Sequence, residues 1–102
     1  MNKQLRNKYR VIGQMSGTSL YGLDLVAVEF EFSDEKWKHK IIDAITISYS
    51  EIWEKKLRTA HLLSGSELLR LHNEFGKLLA GQINQFSKSF NPELIASHGH
   101  TI

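Results

Sequence analysis

Residues 92–98 decide the fold: Pro92-Glu93-Leu94-Ile95-Ala96-Ser97-His98. Asn91 and Pro92 end whatever helix precedes them, because proline disfavours helical backbone at the residue before it. Leu94, Ile95 and Ala96 then form a short apolar run, so residues 93–98 read as a buried strand leading into Gly99. Just upstream, Leu68, Leu71, Phe75, Leu78, Leu79, Ile83 and Phe86 repeat with helical period, the clearest element in the chain. A strand that follows such a helix returns to a sheet laid down earlier. That sheet is to be sought in the first half of the chain.

Three strands are legible there. Residues 10–15 form the first. Residues 23–32 form the second, with Val26, Val28, Phe30 and Phe32 on one face and Ala27, Glu29 and Glu31 on the other. Ser33-Asp34-Glu35-Lys36 is a turn. Residues 37–49 form the third strand, on which Ile41, Ile45, Ile47 and Tyr49 share a face interrupted by Asp43. Connections this short predict an antiparallel meander. Ser48 and Glu51 have capping-box spacing and open a helix over residues 50–63; Ser64 and Glu67 repeat it ahead of the striped helix. The order strand, strand, strand, helix, helix, strand predicts a mixed α/β sheet whose last strand runs parallel to one of the first three. Residues 1–102 read as one unit, without repeat, linker or low-complexity tract.

Composition narrows the function classes. With 102 residues the chain is one small domain or a piece of a larger one. A 41% apolar content and a single proline exclude a disordered chain. The absence of cysteine excludes a disulfide framework, cysteine-ligated zinc and a cysteine nucleophile, and it fits a reducing compartment. The formal charge is +2, with Lys3, Arg6, Lys8 and Arg10 at one end and a net acidic remainder. That basic stretch reads as a solvated end, so no nucleic-acid partner is expected. The longest apolar run, residues 25–28, is far too short for a membrane span or a signal core.

The stretch Ser16-Gly17-Thr18-Ser19-Leu20-Tyr21-Gly22 is where chemistry is best placed. Gly13, Gly17 and Gly22 let backbone approach a ligand, successive amides form an anion-binding concavity, and the hydroxyls of Ser16, Thr18 and Ser19 add donors. Gly17 and Gly22 have Walker-loop spacing. Leu23-Asp24 stands where Lys-Ser/Thr is required, however, and a strand follows instead of a helix, which excludes a P-loop NTPase. By residue type alone such a turn between two strands is more often a plain hairpin. Asp24 either holds magnesium through water or caps that turn. His98 and His100 have ligand spacing but no third ligand in view, so no metal site is assigned.

Two segments go further. Residues 13–24, Gly-Gln-Met-Ser-Gly-Thr-Ser-Leu-Tyr-Gly-Leu-Asp, closely resemble the N-terminal signature of the anhydro-N-acetylmuramic acid kinases, Gly-x-Met-Ser-Gly-Thr-Ser-x-Asp-Gly-x-Asp. Residues 94–102 resemble the segment that holds that family's Ser-His-Gly-Gln-Thr. The two motifs span this chain and correspond to about the first quarter of a family member. The resemblance implies a ribonuclease-H-like (actin-like ATPase) fold, of which residues 1–102 are a partial domain, the N-terminal part of one kinase lobe. It implies ATP with magnesium as cofactor and an anhydro amino sugar as substrate, in cell-wall recycling in the cytoplasm. Gly17, Thr18, Ser19, Leu20, Tyr21, Gly22, Leu23 and Asp24 fall in the family's first phosphate-binding stretch. Ser97, His98 and Gly99 fall near its substrate cleft. Tyr21 stands where the family has aspartate, which removes one carboxylate; His100 stands where it has glutamine.

The resemblance therefore predicts a fragment of an ATP-dependent sugar kinase that is inactive alone. The alternative is a non-catalytic remnant or interaction domain of the same fold; a small histidine-dependent metal hydrolase is the weakest reading. Self-association is expected through Leu71, Phe75 and Leu79 of the second helix and Leu94 and Ile95 of the last strand.

Overall fold

The structure, a computed structural model, describes residues 7–17 and 22–102. Thr18, Ser19, Leu20 and Tyr21 lie outside the described residues, as does most of the basic N-terminal stretch. Strands β1 (Lys8–Ser16), β2 (Gly22–Ser33) and β3 (Lys36–Ser48) form the expected antiparallel meander. Helix α1 (Glu51–Arg58), a 3-10 turn (Ala60–Leu62) and helix α2 (Gly65–Phe86) follow, and strand β4 (Leu94–His98) closes the order. The sheet runs β3-β2-β1-β4, with β4 parallel to β1. A mixed α/β sheet results, as the order of elements predicts.

Local chemistry accounts for the joints. Asp34 and Glu35 connect β2 to β3 with φ of 51° and 60°. Two left-handed residues are what a two-residue primed turn demands, because its twist matches that of the flanking strands. Ser50, not Ser48, caps α1, accepting from the Trp53 amide at 3.2 Å. The helix ends at Arg58 instead of reaching residue 63, tightening into i→i+3 bonds from Leu62 to Thr59 and from Leu63 to Ala60. The second capping box forms as expected. Ser64 Oγ accepts from the Glu67 amide while the Glu67 carboxylate accepts from the Ser64 amide. The Ser64 hydrogen bonds hold the Glu67 carboxyl below its ordinary pKa.

The core lies between α2 and one face of the sheet. Ile12, Leu23, Leu25 and Ala27 are buried together with Ile83, and Ile47, Tyr49, Leu79, Phe86 and Phe90 pack around them. Burying one such large aliphatic side chain contributes about 1.5–3 kcal/mol. Leu71 and Phe75 are buried as well, the latter beside the rings of Tyr49 and Trp53. They are therefore not the free association surface that the helical stripe alone suggests.

Two further expectations change. Ile41 does not share a face with Ile45 and Ile47. The register passes from Ala27↔Asp43 to Val28↔Ile41, so Ile42 is an extra residue in a β-bulge, and a bulge reverses which side chains point where. Asp43 thus lies on the face of Ile45 and Ile47, and Ile41 on the other. Strand β4, at the edge of the sheet beside β1, is exposed at all five positions, not buried, because the core cluster takes none of its residues. Leu94 and Ile95 remain exposed, as the association reading requires.

Candidate functional site

Parallel pairing brings the two motifs together. Strands β1 and β4 point the same way, with Gly13 opposite Ala96 and Met15 opposite His98. The segments that leave them, from Gly17 and from Gly99, therefore emerge at one end of the sheet. The start of β2 and the end of β3 lie there too, with Gly22 opposite Ser48. The carboxyl ends of parallel strands are the usual ligand position in open α/β sheets.

A polar cluster occupies this end on the helix-facing side. Ser16 is 1% exposed. Its Oγ hydrogen-bonds the Tyr49 hydroxyl and, at 3.0 Å, Nδ1 of His100. Burial lowers the His100 imidazole pKa below its ordinary value, with the Gly17 backbone opposing the shift. Burial likewise raises the Tyr49 phenol pKa; the Ser16 bond opposes this and the charge of Asp24 adds to it. Beside the cluster, Ser97 Oγ donates to Oε1 of buried Gln14. The Gln14 Nε2 has no hydrogen-bond partner among the described residues.

The opposite side of the same strands is open. Gly13, Val26, Ala44 and Ala96 line a trough of about 670 Å³, together with Met15, Asp24, Thr46 and His98. Asp24 Oδ1 accepts from Thr46 Oγ1 at 2.6 Å. Asp24 and His98 both stand beside Met15, one on β2 and one on β4. The row Thr46, Asp24, Met15, His98 thus puts one carboxylate and one imidazole on one face.

The residues singled out from the sequence separate in instructive ways. Gly17 follows the end of β1 and Asp24 is exposed on the open face, both at the motif end of the sheet. Leu23 is a core residue, 1% exposed. Gly22 is required by β3: a Cβ there would meet the Ile47 carbonyl oxygen at 2.4 Å. A Cβ at Gly13 would meet Val26 Cγ1 at 3.0 Å. These two glycines serve strand packing, leaving Gly17 as the described glycine at the loop. The Ser16 hydroxyl, read from the sequence as a ligand donor, is consumed inside the protein. Ser97 and His98 lie on opposite sides of the sheet because they are adjacent in a strand. Gly99 follows the strand end. Tyr49 and Gln14 were missed, since nothing in their local sequence marks them; their partners come from distant segments.

No protein-family model matches the chain. Individual proteins do. An anhydro-N-acetylmuramic acid kinase of Pseudoalteromonas translucida is 30% identical over 109 residues, covering 99% of this chain and 27% of that protein. One of a Picosynechococcus species is 36% identical over 97 residues, covering 91% of this chain and 26% of that protein. One of Pseudoalteromonas atlantica is 30% identical, covering 100% of this chain and 29% of that protein. The chain is a relative of the anhydro-N-acetylmuramic acid kinases. It spans about a quarter of the length of the curated relatives it matches. The likeness covers both motifs and every element between them. Among the described residues, no helix is long and apolar enough to cross a membrane, and no group of three or more histidine, aspartate or glutamate side chains has metal-site geometry.

Proposed function

We propose that this chain supplies one part of an ATP-dependent kinase acting on an anhydro amino sugar, built on a ribonuclease-H-like (actin-like) lobe. One observation carries the reading: in a relative of these kinases, the parallel pairing of β1 with β4 brings both family motifs to one end of the sheet. The stretch of residues 17–22 then receives the nucleotide phosphates. Asp24 is the described carboxylate nearest that stretch in sequence, exposed and held by Thr46. One carboxylate plus phosphate oxygens and water is an ordinary magnesium environment, so the donor set fits the ion. Magnesium there would neutralise phosphate charge. His98, on the same face as Asp24, would then meet the sugar substrate.

Phosphoryl transfer depends on groups positioned around the whole substrate. The residues here supply one wall, so the chain by itself binds phosphate and turns over nothing. Titration with ATP, with and without magnesium, should shift the Gly17 amide, while incubation with magnesium-ATP and the anhydro sugar yields no phosphorylated product. Turnover by the purified chain contradicts the one-wall reading, and an unmoved Gly17 amide contradicts the phosphate reading. The second reading, an interaction domain that self-associates, is favoured by the exposed Leu94, Ile95, Ile41 and Trp37. A monomer by light scattering at high concentration contradicts it.

A further inference from the structure

Beyond Ala27 the β1–β2–β3 sheet runs past the core around α2, which takes none of its residues there. A sheet bathed in water on both sides has no reason to sort its side chains. Here they are sorted. One side carries Lys8, Arg10, Glu29, Glu31, Lys38 and Lys40, and the other carries Tyr9, Phe30, Phe32, Trp37, His39 and Ile41. Trp37 is 60% exposed and Ile41 59%. A contiguous apolar face in water marks an interaction surface. The same face continues to the motif end, where Gly13, Val26, Ala44 and Ala96 line the trough of about 670 Å³. It is raised at one end and hollow at the other.

We propose that this face binds a second copy of the chain, antiparallel about a two-fold axis, so that each copy's ridge of rings seats in the other's trough. This rests on the self-association reading above and names its surface. The rows set the fit. An axis lying between the two sheets, perpendicular to the strands and midway between the Val28 and Phe30 rows, sets each row against its mirror. Val28 and Ile41 then meet Phe30 and His39 of the second copy, and Val26 and Ala44 meet its Phe32 and Trp37. Small side chains face large ones twice over, because a two-fold contact repeats each pairing. A hollow of this size takes several rings. Asp24 is the one formally charged residue on this face of the four strands, so like charges do not oppose the contact. The strands hold 9, 12, 13 and 5 residues. At about 3.3 Å per residue and about 4.8 Å between strands, the face covers roughly 600 Å². Specific interfaces bury about 600–1,000 Å² per partner. A flat stacking ligand fits less well, because Trp37 tilts 53° from Phe32 and 47° from Tyr9, a ridge and not a platform.

The test is equilibrium sedimentation of the intact chain, which should show a dimer that dissociates on dilution. Trp37→Ala removes the ridge and Ala44→Lys puts a charge in the trough; each should weaken association at least about tenfold. Both positions are exposed and outside the core, so the amides of Ile12 and Leu25 should keep their shifts, and if one variant unfolds the other serves. In dilute solution, where the copies part, Trp37→Ala loses only its ring contacts within the chain. Ile95→Ser, exposed on the opposite face of β4, should leave association unchanged. A monomeric parent overturns this inference and the self-association reading together. A dimer that survives both Trp37→Ala and Ala44→Lys, or that Ile95→Ser dissolves, overturns the inference and spares that reading. Assemblies that grow beyond two copies also overturn it, because a two-fold contact closes on itself.

Discussion

The two halves of the β1–β2–β3 meander solve the same problem in opposite ways. Near the motif end, the face toward α2 is apolar, with Ile12, Leu23, Leu25, Ala27 and Ile47, and the other face carries Asp24, Thr46 and small residues. At the far end, beyond Ala27, the polarity is reversed. Arg10, Glu29 and Lys40 stand in one row on the face that continues from Ile12 and Ala27, and Lys8, Glu31 and Lys38 in the next. Tyr9, Phe30, Phe32 and Trp37 occupy the other face, where Trp37 stacks at ring distances of 5.2 Å from Phe32 and 6.1 Å from Tyr9. The core around α2 involves the near half alone. A strand is thus amphipathic by segment: what lies over each residue, not the strand as a whole, decides which side is apolar. In the far half, charged residues of both signs stand across strands on the face that the near half fills with core side chains.

The largest test of that contrast sets one half against the other. Leu25→Ala in the near half should cost about 2–5 kcal/mol, a large share of a small domain's stability. Trp37→Ala in the far half should cost only about 0.5–1.5 kcal/mol, the range for an aromatic pair. Urea denaturation of both variants measures it, and equal losses would show that the far half is as much a core as the near one. Next in size is Glu35→Gly at the far tip. Its φ of 60° is left-handed, which costs a side-chain-bearing residue about 1 kcal/mol relative to glycine. The variant should therefore be more stable by up to about that amount, and no gain in urea midpoint would show the turn to be unstrained.

The smallest effect sharpens the near half. The His100 pKa is lower folded than unfolded, so below the ordinary histidine value the unfolded chain binds more protons. Stability should be unaffected above about pH 6.5, decline as pH falls below it, and stop declining once pH is below the folded value. His100→Gln should lack this component. Denaturation midpoints measured for both proteins across that range report it as a difference in slope, and parallel curves would remove His100 as the cause.

Much of this was legible in sequence. The meander follows from short connections, α2 from its stripe and the Ser64–Glu67 box, and the parallel β4 from a strand returning after helices. The kinship was legible in residues 13–24. What was not legible depends on partners. Ile41 looks like a neighbour of Ile45 until the Ile42 bulge is known, because the sequence carries no mark of the extra residue. Leu94, Ile95 and Ala96 look buried because they are apolar, yet exposure is set by what lies over β4, and the core around α2 takes none of its residues. Ser16 looks like a ligand donor because its captors, Tyr49 and His100, lie far along the chain.

The pairing of β4 with β1 also has a temporal meaning. The Ser97–Gln14 contact spans 83 residues, whereas the hairpin at Asp34 and Glu35 closes over two. Loop-closure entropy makes distant pairing the slow step and local pairing the fast one. The meander and the capped helices can therefore form early, with β4 docking last. A late-docking, exposed edge strand is also the first to open, as the least protected segments of native proteins are. The end of the sheet that joins the two motifs is thus assembled last and loosened first, which couples formation of the site to the final step of folding.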